Sequence, residues 1–100
     1  MNMSSSGSLD SLEGRKFIIG REGHIYVSDP AASKEHAEIE IEDGRICIRD
    51  LNSTNGIYFI RNDKPVRFKE EYVELNQTIA IGEEQHTVNN LLKIINSFAG

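Results

Sequence analysis

The chain has 100 residues, 38% of them apolar and 27% charged, and a net charge of −5; that size allows one domain around one core, and the apolar share excludes a largely disordered chain. The acidity argues against sequence-independent nucleic-acid binding, which needs a broad field that attracts phosphate, and no apolar run approaches the ~20 residues that span a membrane. The lone Cys47 closes no internal disulfide and no Cys or His spacing suits a metal, so neither metal nor cofactor is expected and the compartment is read as reducing, cytoplasmic or nuclear.

Residues 1–14 are rich in Ser and Gly and lack sustained periodicity. They read as a disordered leader or expression remnant ahead of a domain over 15–98, because ordering them would cost entropy that little apolar burial offsets. The run Arg15 to Gly20 is short, apolar and β-branched, the pattern of a strand buried on both faces. Arg21 follows directly, on a loop anchored by that strand. A guanidinium there presents a planar fork that can hold two oxygens of one oxyanion, which a lysine cannot do.

His24 to Val27 is a second short strand candidate, and Asp29-Pro30 turns the chain toward Ser33 and Lys34. The Ser33 hydroxyl and its backbone N–H can each donate to a bound anion, with Lys34 adding charge. His36 precedes Ala37 to Glu42, whose strict alternation turns Ala37, Ile39 and Ile41 inward. A neutral imidazole can brace loop backbone through both ring nitrogens, so His36 is assigned a structural role. Asp43-Gly44 signals a tight hairpin that returns through Arg45 to Arg49 with Ile46 and Ile48 on the core face.

Asp50 to Gly56 is a seven-residue loop of Asp, Asn, Ser and Thr closed by glycine. It is too polar to pack in a core, and its side chains can bridge to neighbouring backbone and hold a rigid turn. Ile57 to Ile60 and Lys64 to Phe68 flank a turn at Arg61-Asn62-Asp63, with Pro65 favouring an edge. Residues 72–82 read as a turn leading into a late strand with Ile79 and Ile81 inward, and residues 85–88 as a final strand. Leu91, Ile94, Ile95 and Phe98 fall at i, i+3, i+4 and i+7, which predicts a short C-terminal helix capped by Asn89 or Asn90.

Three spaced blocks stand out: Gly20-Arg21, Ser33-Lys34-Glu35-His36, and Leu51-Asn52-Ser53-Thr54-Asn55-Gly56. Together they resemble the forkhead-associated (FHA) family over about residues 16–88. The resemblance implies an all-β fold, a two-sheet antiparallel β-sandwich, that reads phosphothreonine in signalling partners. It implies that Thr54 and Asn55 line the site beside Arg21, Ser33 and Lys34, with Asn55 on the peptide main chain, and that Gly20, His36, Ser53 and Gly56 shape the loops. Ile57 stands where the family often has Thr, and Asn62-Asp63 where it often has Asn-Gly.

The expected function is therefore phosphorylation-dependent protein–protein interaction, by a domain monomeric in isolation that binds a phosphothreonine-containing protein or peptide. The alternative is a phosphate-independent scaffold or oligomerisation domain that keeps the sandwich and pairs through another face. Enzymatic function has no support: the chain lacks G-x-S-x-G, a Walker loop and H-E-x-x-H.

Overall fold

The computed structural model describes residues 12–99. Among the described residues nine strands and one helix follow in order: β1 (Lys16–Gly20), β2 (Ile25–Tyr26), β3 (Ala37–Glu42), β4 (Arg45–Asp50), β5 (Ile57–Arg61), β6 (Lys64–Phe68), β7 (Glu70–Val73), β8 (Thr78–Ile81), β9 (Glu84–Thr87) and α1 (Val88–Ala99). They build two sheets, one in the order β2-β1-β3-β4-β7 and one in the order β6-β5-β8-β9. All neighbours pair antiparallel except β1 with β2, which is parallel. The expected two-sheet β-sandwich with a C-terminal helix is thus the fold.

Alternation in the sequence becomes the inner face. Phe17, Ile19, Ala37, Ile39, Ile41, Ile46 and Ile48 from one sheet meet Ile57, Phe59, Phe68, Ile79 and Ile81 from the other in one core. Burial of these side chains, at about 25 cal/mol per Å² of apolar surface, drives the sheets together. The strand β1 is buried on one face rather than both, since Ile18 is only half-buried on the outside. Cys47 is buried on the outer face, packed beneath the Arg49 and Glu70 side chains. Burial pushes its thiol pKa up, which makes it a poor nucleophile.

Several boundaries differ from the sequence reading. The strand β7 was not anticipated because Glu70, Glu71 and Tyr72 are exposed and only Val73 is buried, as befits the edge of a sheet. Pro65 lies on the edge strand β6. The last strand ends at Thr87 and Val88 opens the helix. Thr87 is the N-cap, its Oγ1 accepting the N–H of Asn90 at 3.1 Å, so neither Asn89 nor Asn90 fills that role. The apolar stripe of α1 closes the core with Val88, Leu91, Leu92 and Ile95, while Phe98 packs edge-on to Phe17.

Of the leader expected over 1–14, residues 1–11 lie outside the described residues. Leu12 is fully buried, Glu13 accepts the N–H groups of Asp43 and Gly44, and the Gly14 N–H donates to the Ile41 carbonyl at 2.7 Å. Residues 12–14 are therefore packed in the fold, which corrects that part of the expected leader. A leucine that can enter a core repays the ordering of its neighbours.

Candidate functional site

The end of β1, the loop before β3 and the loop between β4 and β5 meet at one rim. Gly20 makes the first approach possible: a Cβ there would collide with the backbone carbonyl of Lys34. With the two backbones so close, the Arg21 N–H donates to the Ser33 carbonyl at 3.1 Å and the Glu22 N–H to the Lys34 carbonyl at 3.0 Å. The Arg21 Nε–H donates to the Ala32 carbonyl at 2.7 Å. That bond fixes the guanidinium plane and leaves both terminal amino groups toward solvent, on an exposed side chain.

His36 ties the three segments together from beneath. It is fully buried. Its N–H donates to the Ile19 carbonyl at 2.8 Å and its carbonyl accepts from the Leu51 N–H at 3.0 Å. In the ring, Nδ1 accepts the Ser33 N–H at 3.0 Å and Nε2 lies 2.7 Å from the Gly56 carbonyl. An acceptor at Nδ1 and a carbonyl at Nε2 define the neutral tautomer protonated on Nε2. The Ser33 N–H is thereby consumed, which removes it as a phosphate donor.

The loop 50–56 holds its own shape by bonds between near neighbours. Asp50 Oδ1 accepts the Ser53 N–H at 3.0 Å and Ser53 Oγ accepts the Gly56 N–H at 3.0 Å. Gly56 takes φ +80°, a left-handed conformation suited to glycine. Two bonds then join this loop to the one before β3. The Thr54 N–H donates to Ser33 Oγ at 3.3 Å, and Asn55 Nδ2 donates to the Ala31 carbonyl at 2.7 Å.

Arg21, Ser33, Lys34, Thr54 and Asn55 thus sit on segments bonded to one another. Ser33 Oγ accepts from Thr54 and keeps its own O–H proton to donate, and Asn55 keeps a carbonyl oxygen to accept a peptide N–H. Lys34 Nζ is 3.8 Å from Glu22 Oε2, an exposed pair too weak to withhold the ammonium from an anion. Asn62 is at the other end: β5, five residues long, separates it from Gly56 by roughly 17 Å.

Residues without a role in the sequence reading hold the loop that carries Ser33. Glu84 Oε1, from β9, accepts the Ser28 N–H at 3.0 Å, the Ser28 O–H at 2.8 Å and the Asp29 N–H at 3.1 Å. Its Oε2 is 3.1 Å from His86 Nε2. Asp29 accepts the Ala31 N–H at 2.8 Å and the Glu83 N–H at 2.6 Å. These bonds draw both carboxyls below their usual range: the side-chain bond from Ser28 leads for Glu84, and the backbone bond from Ala31 leads for Asp29. The Asx-turn at Asp29 has a sequence signal in Asp-Pro, whereas Glu84 lies 55 and 56 residues from Asp29 and Ser28 and has none.

The outer face of the larger sheet is electrostatically different. Arg49 there binds Glu38, Glu40 and Glu70, and these hydrogen bonds, Glu70 first, raise its pKa further. Both of its terminal amino groups are engaged by these carboxylates. A concavity of about 510 Å³ lined by Gly44, Arg45, Ile46 and Tyr72 to Leu75 lies at the opposite end of β4 from Asp50. Among the described residues no cluster of His, Cys, Asp or Glu could hold a metal ion, and no helix is long and apolar enough to cross a membrane.

Solved structures similar to this chain share the fold. The FHA domain of FhaA, determined in complex with the intracellular domain of Rv3910, is 30% identical, with 70% of this chain and 75% of that one covered and a TM-score of 0.60. The FHA domain of the CT664 protein from Chlamydia trachomatis is 28% identical, with 73% of each chain covered and a TM-score of 0.62. An FHA structure from a structural and functional analysis of phosphothreonine-dependent FHA domain interactions is 30% identical, with 70% and 71% covered and a TM-score of 0.60. No curated protein matches the chain. The family model of the FHA domain matches residues 14–82, which takes in every strand up to β8 and all three loops of the rim, and the chain therefore belongs to the FHA domain family.

Proposed function

We propose that this domain binds a phosphothreonine-containing segment of a partner protein, so that phosphorylation of the partner switches the interaction on. The observation that carries this reading is the Arg21 Nε bond to the Ala32 carbonyl, 2.7 Å long. It orients an exposed guanidinium before any ligand arrives, beside a serine hydroxyl with a proton to donate. A phosphate monoester carries about −1.5 to −2 charges at neutral pH and three strong acceptor oxygens. The Arg21 fork takes two oxygens, the Ser33 hydroxyl a third contact, and Lys34 adds charge. Unmodified threonine offers none of these targets.

Asn55, held by Ala31, accepts from the peptide backbone next to the phosphorylated residue, and Thr54 lines the same edge. The residues that meet the peptide lie on loops bonded to one another, so little ordering entropy opposes binding. The domain acts as a monomer and binds without turnover. Membership of the FHA family supports the reading, as does similarity to an FHA domain studied for phosphothreonine-dependent interactions.

The test is calorimetric titration with one peptide in three forms. The phosphothreonine form is expected to bind at micromolar Kd, about −8 kcal/mol. The phosphoserine form, lacking a methyl, should lose about 1–3 kcal/mol, and the unmodified form should show no binding. Equal affinity for all three would overturn the proposal.

A further inference from the structure

Arg67 rises from β6 and lies against the backbone of Gly56: a Cβ added to Gly56 would stand 2.5 Å from Arg67 Nε and 2.8 Å from its Cζ. The guanidinium is exposed, and among the described residues it has no hydrogen-bond, ion-pair or ring partner. Each of the other arginines has a partner within the fold. Arg21 holds Ala32 and Arg49 holds three carboxylates, while Arg15, Arg45 and Arg61 lie over the rings of Phe17, Tyr72 and Phe59.

A second exposed cation stands close by. The Lys69 carbonyl accepts the Asp50 N–H at 2.7 Å, which roots Lys69 at the start of the loop that ends under Arg67. The chain has 16 carboxylate residues against 11 lysines and arginines, yet Arg67 is paired with none of the described ones. Consecutive residues of one loop therefore face two cationic neighbourhoods: Asn55 is bonded across to Ala31, beside Arg21's anchor, and Gly56 lies beneath Arg67.

We propose that Arg67, supported by Lys69, forms a subsite for a carboxylate side chain in the bound segment. The domain then prefers partners in which the phosphorylated residue is followed or preceded, on the side that passes Gly56, by Asp or Glu. This rests on the phosphothreonine reading above. The acidity of the rest of the surface repels carboxylates elsewhere, which confines the preference to the positions that reach Arg67. An extended segment turns alternate side chains to opposite sides, so the preference falls on one position or on two positions two residues apart.

The experiment is fluorescence anisotropy with phosphothreonine peptides on an alanine background, each carrying a single Asp or Lys at one of four positions before or after the phosphothreonine. At the position that reaches Arg67, wild-type protein should bind Asp roughly fivefold tighter than Lys, the upper range for an exposed ion pair. Arg67→Glu should invert that ratio and Arg67→Gln should bring it to one, with the ratios at other positions unchanged. Comparing Asp with Lys on each variant cancels any general loss of affinity for phosphate. A wild-type profile flat at every position, or a preference that survives Arg67→Glu unaltered, overturns the subsite while leaving phosphothreonine reading intact. If wild-type protein binds no phosphothreonine peptide at all, the reading itself fails and the subsite fails with it.

Discussion

His36 Nε2 lies 2.7 Å from the Gly56 carbonyl, 20 residues further along the chain, while Nδ1 of the same ring accepts the Ser33 N–H. One neutral, fully buried imidazole thus sets the spacing between the loop of Ser33 and the loop of Asn55. Truncation by His36→Ala leaves a buried donor, a buried acceptor and a cavity. The expected cost is about 2–4 kcal/mol in urea denaturation. Phosphopeptide affinity should fall as well, measured where the variant remains folded.

Gly20→Ala should be more damaging than a methyl group suggests. The obstruction is the backbone carbonyl of Lys34, which cannot swing aside as a side chain would. Either the loop before β3 retreats, breaking the Arg21 and Glu22 backbone bonds to Ser33 and Lys34, or the sheet does. Circular dichroism melting should show a loss of several degrees or more, and amide exchange at Arg21 and Glu22 should accelerate.

The β5–β6 turn holds both Asn62 and Asp63 at positive φ, 53° and 63°. Asn tolerates this region and Asp less well, so the turn stores strain that glycine would relieve. Asp63→Gly is expected to raise stability by about 0.5–1 kcal/mol. Because this turn lies across β5 from Gly56, peptide affinity should not move, which chemical denaturation and titration on the same variant can check.

Much of the fold is legible in the sequence because a two-residue alternation with β-branched residues has few other uses. Ala37 to Glu42 and the Asp43-Gly44 turn define one hairpin from residue types alone. The edge strand β7 escapes because only Val73 of its four residues is buried, and Leu12 escapes because a single leucine beyond a Ser-rich stretch carries no period. At the rim, the residue types of the three blocks are legible, but the allocation of donors is not. Only coordinates show that Ser33 spends its N–H on His36 while keeping its hydroxyl proton, or that Glu84 fastens the loop 28–32 across 55 residues or more.

Glu84 and Asp29 give acid sensitivity a definite sign. Both folded-state pKa values are drawn below the ordinary 4.5 and 3.8, so the stability they contribute is present above those values and lost as pH falls through the depressed ones. Their share of the urea midpoint should be lost below about pH 4. Glu84→Gln should shrink that acid decline. Peptide binding should weaken earlier, as pH drops through about 6 and the phosphate loses its second charge. Binding that tracks the urea midpoint would contradict this separation.

The account turns on a guanidinium oriented in advance, so the most direct measurement is titration of one phosphothreonine peptide into wild-type protein and into Arg21→Ala. Arg21 is exposed, and its replacement should leave the melting temperature within about 3 °C while weakening binding by at least about tenfold, the scale of one charge-assisted hydrogen bond. Undiminished affinity in a folded Arg21→Ala domain would contradict the account.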